Sequence, residues 1–368
     1  MLMREKIISG IQQIGIGVSN VYDAWRWYKE HFGVDIKMFE EEAVAELMLP
    51  YTGGKPRARH AVLALNMQGG GGFEIWQYKG RVPEAPKSAP QLGDLGIFAA
   101  KIKTLNVSAV YKYYQSKGIN IIGELRKDPA GKEHFFVSDP YGNIFHIVHS
   151  KSWFIKNKNL TGAIYGAIIG VSDIEKSKTF YGEILGYDKV IYDITTDFED
   201  LKDLPGGSGN LRRILLHHSK PRTGAFSPLL GSSELELVQV LDRKPQRIFE
   251  GRFWGDLGFI HMCFDIRGME LLREECTKKG YPFTVDAGDL FDMGEASGAF
   301  SYTEDPDGTL IEFVETHKIP ILKKLGWYLN LRNRKPEEPL PRWLLKAISF
   351  NRVKTIKKKQ IKNLPPAI

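Results

Sequence analysis

The sequence predicts an α+β protein assembled from four copies of one βαβββ module, followed by a basic, partly helical tail. Three observations carry that reading. A turn of Asp, Pro, any residue and Gly runs twice into an apolar strand, at Asp139-Pro140-Tyr141-Gly142 and at Asp305-Pro306-Asp307-Gly308. Four apolar strands each lead within a few residues into an amphipathic stretch that ends at a glycine. The closing strand of each module then carries a ligand-type residue among apolar neighbours: Glu74, His146, Glu236 and Glu312. Burying an unpaired charge costs several kcal/mol, so such residues must face water, an ion pair or a metal.

In chain order, the first module opens with strand 11–18, passes into a helix over 21–32 stopped by Gly33, and closes with strand 72–78. The second opens at 96–102, has a helix over 107–116 ended by Gly118, and closes on His146. The third opens at 163–171; Ser172 and Glu175 read as a capping box, Gly186 stops the helix, and strand 234–238 closes it. The fourth opens at 259–266, has a helix around 269–279, and closes on Glu312. Separations between the key positions of the opening and closing strands are 61, 49, 70 and 51 residues (Gln13 to Glu74, Ile97 to His146, Gly166 to Glu236, His261 to Glu312). Long, short, long, short implies a duplicated two-module unit, with domains over 1–150 and 151–317 and a tail over 318–368.

The net charge of +7 is unevenly placed. From 318 to 368 there are 14 Lys and Arg against 2 Glu, so the preceding body carries −5. A uniformly basic nucleic-acid face on the body is therefore not expected. The tail contains a short helical pattern over 343–350 and a basic run from Lys354 to Lys362, which suit either docking on the body or peripheral contact with an anionic membrane. Two cysteines, Cys263 and Cys276, make no disulfide framework. With no long apolar run and no leader pattern, a cytoplasmic protein is expected. The glycines of 69–72 and 205–209 lack the strand-to-helix setting of a phosphate loop.

Strand alternation places Glu74 on a face with Trp76 and Tyr78, and His261 with Phe259 and Cys263. The opposite faces carry Ile14, Ile16, Phe73, Ile75, Met262, Phe264, Ile311 and Phe313, which suit packing under helices. Trp76, Tyr78 and Phe259 are accordingly expected to line a cavity for an apolar or aromatic substrate.

Gly-Ile-Gly-Val-Ser-Asn at 15–20, Ile-Gly-Val-Ser-Asp at 169–173, Phe-Tyr-Gly-Glu-Ile-Leu-Gly at 180–186 and the two Asp-Pro-x-Gly strands together resemble the vicinal oxygen chelate superfamily over roughly 8–317. That superfamily includes glyoxalase I, extradiol dioxygenases and bleomycin resistance proteins. The resemblance implies modules paired into two cupped eight-stranded mixed sheets, with metal ligands on the first and last strands of each module. Pairing modules one with four, as fused glyoxalases do, gives a cup with Gln13, Glu74, His261 and Glu312, similar to the ligand set of eukaryotic glyoxalase I. A second, vestigial cup then holds only His146 and Glu236. Pairing neighbours instead gives Gln13, Glu74 and His146 in one half and Glu236, His261 and Glu312 in the other; both pairings are open at this level.

The implied function is a metal-dependent isomerase, lyase or epimerase that chelates vicinal oxygens of a small molecule through one divalent ion (Zn, Ni, Mn, Co or Fe) and stabilises an enediolate. Glu312 is the candidate base, with Glu74 assisting. The alternatives are an extradiol-type ring-cleavage dioxygenase and a non-catalytic binding or resistance protein. In glyoxalase I an Arg that holds glutathione lies four residues after the first ligand; here that position is Gly17, so a glutathione substrate is not implied. Four modules complete both cups within one chain, which suits a monomer or a homodimer.

Overall fold

A computed structural model describes residues 5–288, 291–292, 297–322 and 327–356. The first module comprises β1 (Ile7–Gly17), α1 (Val21–Phe32), β2 (Ile36–Ala45), β3 (Arg57–Leu65) and β4 (Gly72–Tyr78). The second comprises β5 (Gly96–Thr104), α2 (Val107–Lys117), β6 (Ile121–Lys127), β7 (Glu133–Ser138) and β8 (Ile144–His149). The third comprises β9 (Thr161–Gly170), α3 (Ile174–Leu185), β10 (Lys189–Thr196), β11 (Leu211–His217), a single turn α4 (Ser227–Leu230) and β12 (Glu234–Val240). The fourth comprises β13 (Gly258–Arg267), α5 (Met269–Lys278), β14 (Val285–Asp286), β15 (Phe291–Asp292), β16 (Ser297–Glu304) and β17 (Leu310–Leu322). Beyond it lie β18 (Trp327–Asn330), α6 (Arg342–Ala347) and a 3-10 turn, Ile348–Asn351.

The strands form two curled mixed sheets, and they cross the duplicated halves. One sheet runs β14-β16-β17-β13-β1-β4-β3-β2, joining the first and fourth modules through the antiparallel pair β1 and β13, with β15 and β18 added to β16 and β17. The other runs β10-β11-β12-β9-β5-β8-β7-β6, joining the second and third through β5 and β9. In each module the closing strand lies parallel to its opening strand, as a βαβ crossover requires.

Local chemistry sets the helix ends. Asn20 caps α1 by accepting from the amides of Tyr22 and Asp23, and Gly33 ends it at φ 62°, where a side chain would be strained. The expected capping box at Ser172 is displaced by one residue. Asp173 caps α3, accepting from the amides of Glu175 and Lys176, while the Ser172 hydroxyl donates to Asp307 in the distant Asp-Pro-Asp-Gly turn. Both such turns are tied to helices: Asp139 accepts from Tyr28 Oη at 2.6 Å, and Asp305 accepts from Tyr181 Oη at 2.8 Å. The largest apolar cluster joins the helices to the helix-facing sides of both sheets.

The segment after β18 is part of this packing. Leu340, Leu344 and Leu345 are buried in one cluster with Ile36, Leu63, Leu65 and Phe154. The basic positions from 357 onward lie outside the described residues.

Candidate metal centre

The site forms where four central strands meet. In register, Gln13 pairs with Cys263, and Gly15 pairs with both His261 and Glu74; Cys263 in turn pairs with Glu312. Gln13, Glu74, His261 and Glu312 therefore converge from four different strands, and all are buried. His261 Nε2 lies 3.0 Å from Glu312 Oε2 and 3.3 Å from Glu74 Oε2. Gln13 Nε2 lies 3.4 Å from both of those oxygens. One donor atom each from Glu74, His261 and Glu312 fits within a 4.8 Å span, which brings three of the four expected ligands together. Gln13 stands beside them with its Oε1 unpartnered.

Glycine makes the convergence possible. A Cβ on Gly15 would come within 2.4 Å of His261 Cε1, so only glycine leaves room for the imidazole across the strand pair. Gly17 is equally constrained, because a Cβ there would meet Asp256 O at 1.9 Å. An arginine at that position is sterically impossible here, which explains the departure from the glutathione-binding pattern.

Burial alone would drive the proton off His261, but the negative charges of Glu312 and Glu74 at 3.0 and 3.3 Å outweigh it and push its pKa up to about 9. Burial raises Glu74, yet His261 carries it below the usual carboxylate range. Neither His261 nitrogen has a partner in hydrogen-bond geometry, although both are buried. Buried polar atoms are nearly always satisfied, so two carboxylates and an imidazole converging beside the Gln13 amide fit a divalent cation.

The cup wall departs from strict alternation. The β1–β13 register skips Ile260, which bulges, so Ile16 pairs with Phe259 directly after Gly15 pairs with His261. Phe259 is thereby turned to the helix side, where it packs edge-on against Phe145 at 5.5 Å. Ile260 takes its place in a cluster with Trp76 and Tyr78. The expected cavity-lining role of Phe259 does not match this position.

Trp76 and Tyr78 are on the cup face but are covered by the segment that precedes β13. Trp254 meets Trp76 at 4.8 Å between ring centroids and lies parallel to His261 at 6.3 Å. Tyr302, directly opposite Glu312 in register, meets the His261 ring edge-on at 5.5 Å, and burial together with the charge of Glu312 holds its phenol well above the ordinary range. Sequence reasoning missed both residues. Trp254 sits in a connection with no periodicity, whereas Tyr302 was accessible as the residue across the hairpin from Glu312.

The second cup keeps His146 and Glu236 and fills the centre with the chain's own cations. Lys101 Nζ lies 2.7 Å from Glu234 Oε1 and 2.6 Å from Glu236 Oε2. Arg213 pairs with Glu236 and, at 2.6 Å, with Asp200. His146 Nε2 is 2.9 Å from His134 Nδ1, and His134 Nε2 is 3.1 Å from Asp200. Burial, with the neighbouring His134 and Lys101, holds His146 well below the ordinary imidazole range. The bulge recurs here at Phe98, so Ala99, not Ile97, occupies the position of His261, and Lys101 that of Cys263.

A family model, the Glyoxalase/Bleomycin resistance protein/Dioxygenase superfamily, matches residues 10–147 and 164–313. The chain belongs to this superfamily. Glyoxalase I from Zea mays superimposes with a TM-score of 0.52 at 14% identity, covering 84% of this chain and 92% of that one. A putative dioxygenase from Bacillus subtilis subsp. subtilis str. 168 does so with a TM-score of 0.52 at 13% identity, covering 84% and 86%. At such identities the likeness concerns the fold alone. No curated protein matches the sequence.

Proposed function

We propose that this chain is a metal-dependent isomerase or lyase of glyoxalase type, holding one divalent ion through Glu74, His261 and Glu312 with Gln13 as fourth donor. The supporting observation is the convergence of the Glu74, His261 and Glu312 donors within 4.8 Å in a buried cup assembled from both halves of the chain. When bound, such an ion polarises two adjacent substrate oxygens and lowers the cost of removing a proton from the neighbouring carbon. Glu312, with Tyr302 opposite it in register, takes that proton, and Glu74 across the imidazole assists its return. The aromatic wall of Trp76, Trp254 and Tyr302 favours an apolar or aromatic substrate and keeps bulk water from the exchanging proton. One imidazole with two carboxylates is not the two-histidine set of non-haem iron oxygenases, which favours proton transfer over ring cleavage.

The test is to load the chain with Zn, Ni, Mn, Co or Fe in turn and offer aryl α-hydroxy ketones and catechols in deuterated water. The proposal predicts deuterium at the carbon beside the carbonyl, reduced about a hundredfold or more in Glu312→Gln. Oxygen uptake with catechol and iron, without deuterium exchange, would sink it.

A further inference from the structure

The segment after Glu338 has two faces. Its inner face is fixed: Leu344 and Leu345 are buried beside Leu63 and Leu65, and Arg352 pairs with Asp35. Its outer face carries Trp343, 62% exposed, and Phe350, 78% exposed, the latter being the most exposed large apolar side chain among the described residues. These two and exposed Lys346 stand at i, i+3 and i+7, one side of α6 and the turn that continues it. Lys346 and Lys354 have no ion-pair partner among the described residues, while Arg342 lies over Phe154. From Glu338 onward the sequence has 8 Lys and Arg and no further Asp or Glu.

Exposed apolar side chains gathered on one face and rimmed by polar residues mark interaction sites. A tryptophan and a phenylalanine in line with lysines, on a segment whose charge is all of one sign, match the chemistry of an anionic bilayer surface: rings at the headgroup boundary and ammonium groups against phosphate. We propose that this outer face is a docking surface for anionic lipid bilayers, with Trp343 and Phe350 inserting and Lys346 and Lys354 supplying the electrostatic attraction. Docking is peripheral, because no described helix is long and apolar enough to cross a membrane. The proposal is independent of the metal chemistry.

The experiment is co-sedimentation of the full chain with phosphatidylcholine vesicles, with and without phosphatidylglycerol, at low and high salt. Wild type should pellet with the anionic vesicles only, and less so as salt rises. In Trp343→Ser/Phe350→Ser, both positions being exposed, partitioning should fall about tenfold or more with the melting temperature unchanged. Wild-type protein that stays in the supernatant with anionic vesicles overturns the proposal, as does equal pelleting of the variant. Retention on single-stranded nucleic acid in place of vesicles overturns it too.

Discussion

His261 reaches the centre of its cup because Gly15, its partner across the strand pair, has no side chain. Gly15→Ala places a methyl group 2.4 Å from Cε1 of the ring. The ring must swing away or the strands must part; overpacking of this kind costs about 1–3 kcal/mol. The expected outcome is a folded protein whose metal affinity drops about tenfold or more, read by titration with Mn or Zn beside a thermal melt. Unchanged affinity would show that the His261 imidazole does not hold the ion. In the other cup Lys101 stands between two carboxylates at 2.6 and 2.7 Å. Lys101→Met leaves Glu234 and Glu236 buried with Arg213 as the remaining cation beside Glu236, and should destabilise the chain by about 3–5 kcal/mol in urea unfolding. A variant as stable as wild type would show that the lysine is not the internal counter-ion.

At the scale of elements, the repeated turns both join modules and set a pH response. Burial raises Asp305, and although the amides of Thr309 and Asp307 and the Tyr181 hydroxyl oppose this, its pKa is pushed up to about 6. A raised acid favours folding below its unfolded pKa, near 4, and loses that contribution as pH rises through about 6. Asp305→Asn mimics the protonated form, so the decline in stability between pH 4 and 7, of order 1–3 kcal/mol in wild type, should flatten in the variant. Parallel denaturant curves at pH 4.5 and 7.5 (about those values) decide it; an identical slope in both proteins contradicts the assignment.

The same scale shows what the sequence made legible. Helix stops at Gly33, Gly118 and Gly186 and the closing strand at 72–78 follow from local chemistry, and the structure has them where expected. The faces of Phe259 and Ile97 were not legible, because a bulge depends on the partner strand and one extra residue reverses every side chain beyond it. Trp254 escaped notice because it lies on a connection whose position is set by packing on Trp76. Lys101 was a readable anomaly, a charge inside an apolar strand, but its partners Glu234 and Glu236 belong to another module.

For the whole molecule, the crossing of modules means that neither half of the chain carries a complete cup. Gln13 and Glu74 come from the first module and His261 and Glu312 from the fourth, with about half the sequence between them. The other sheet repeats the architecture but supplies its cations from Lys101 and Arg213. One cup thus presents two carboxylates and an imidazole that could hold a metal, and the other pairs its carboxylates with the chain's own lysine and arginine. The most direct measurement is elemental analysis of metal in the gently purified wild type beside His261→Ala and His146→Ala, each checked for folding by its melting curve. The account predicts about one divalent ion per chain in wild type and in His146→Ala, and little in His261→Ala. Metal retained in a folded His261→Ala and lost in His146→Ala, or no metal in any of the three after incubation with Zn, Mn, Ni, Co and Fe, would contradict it.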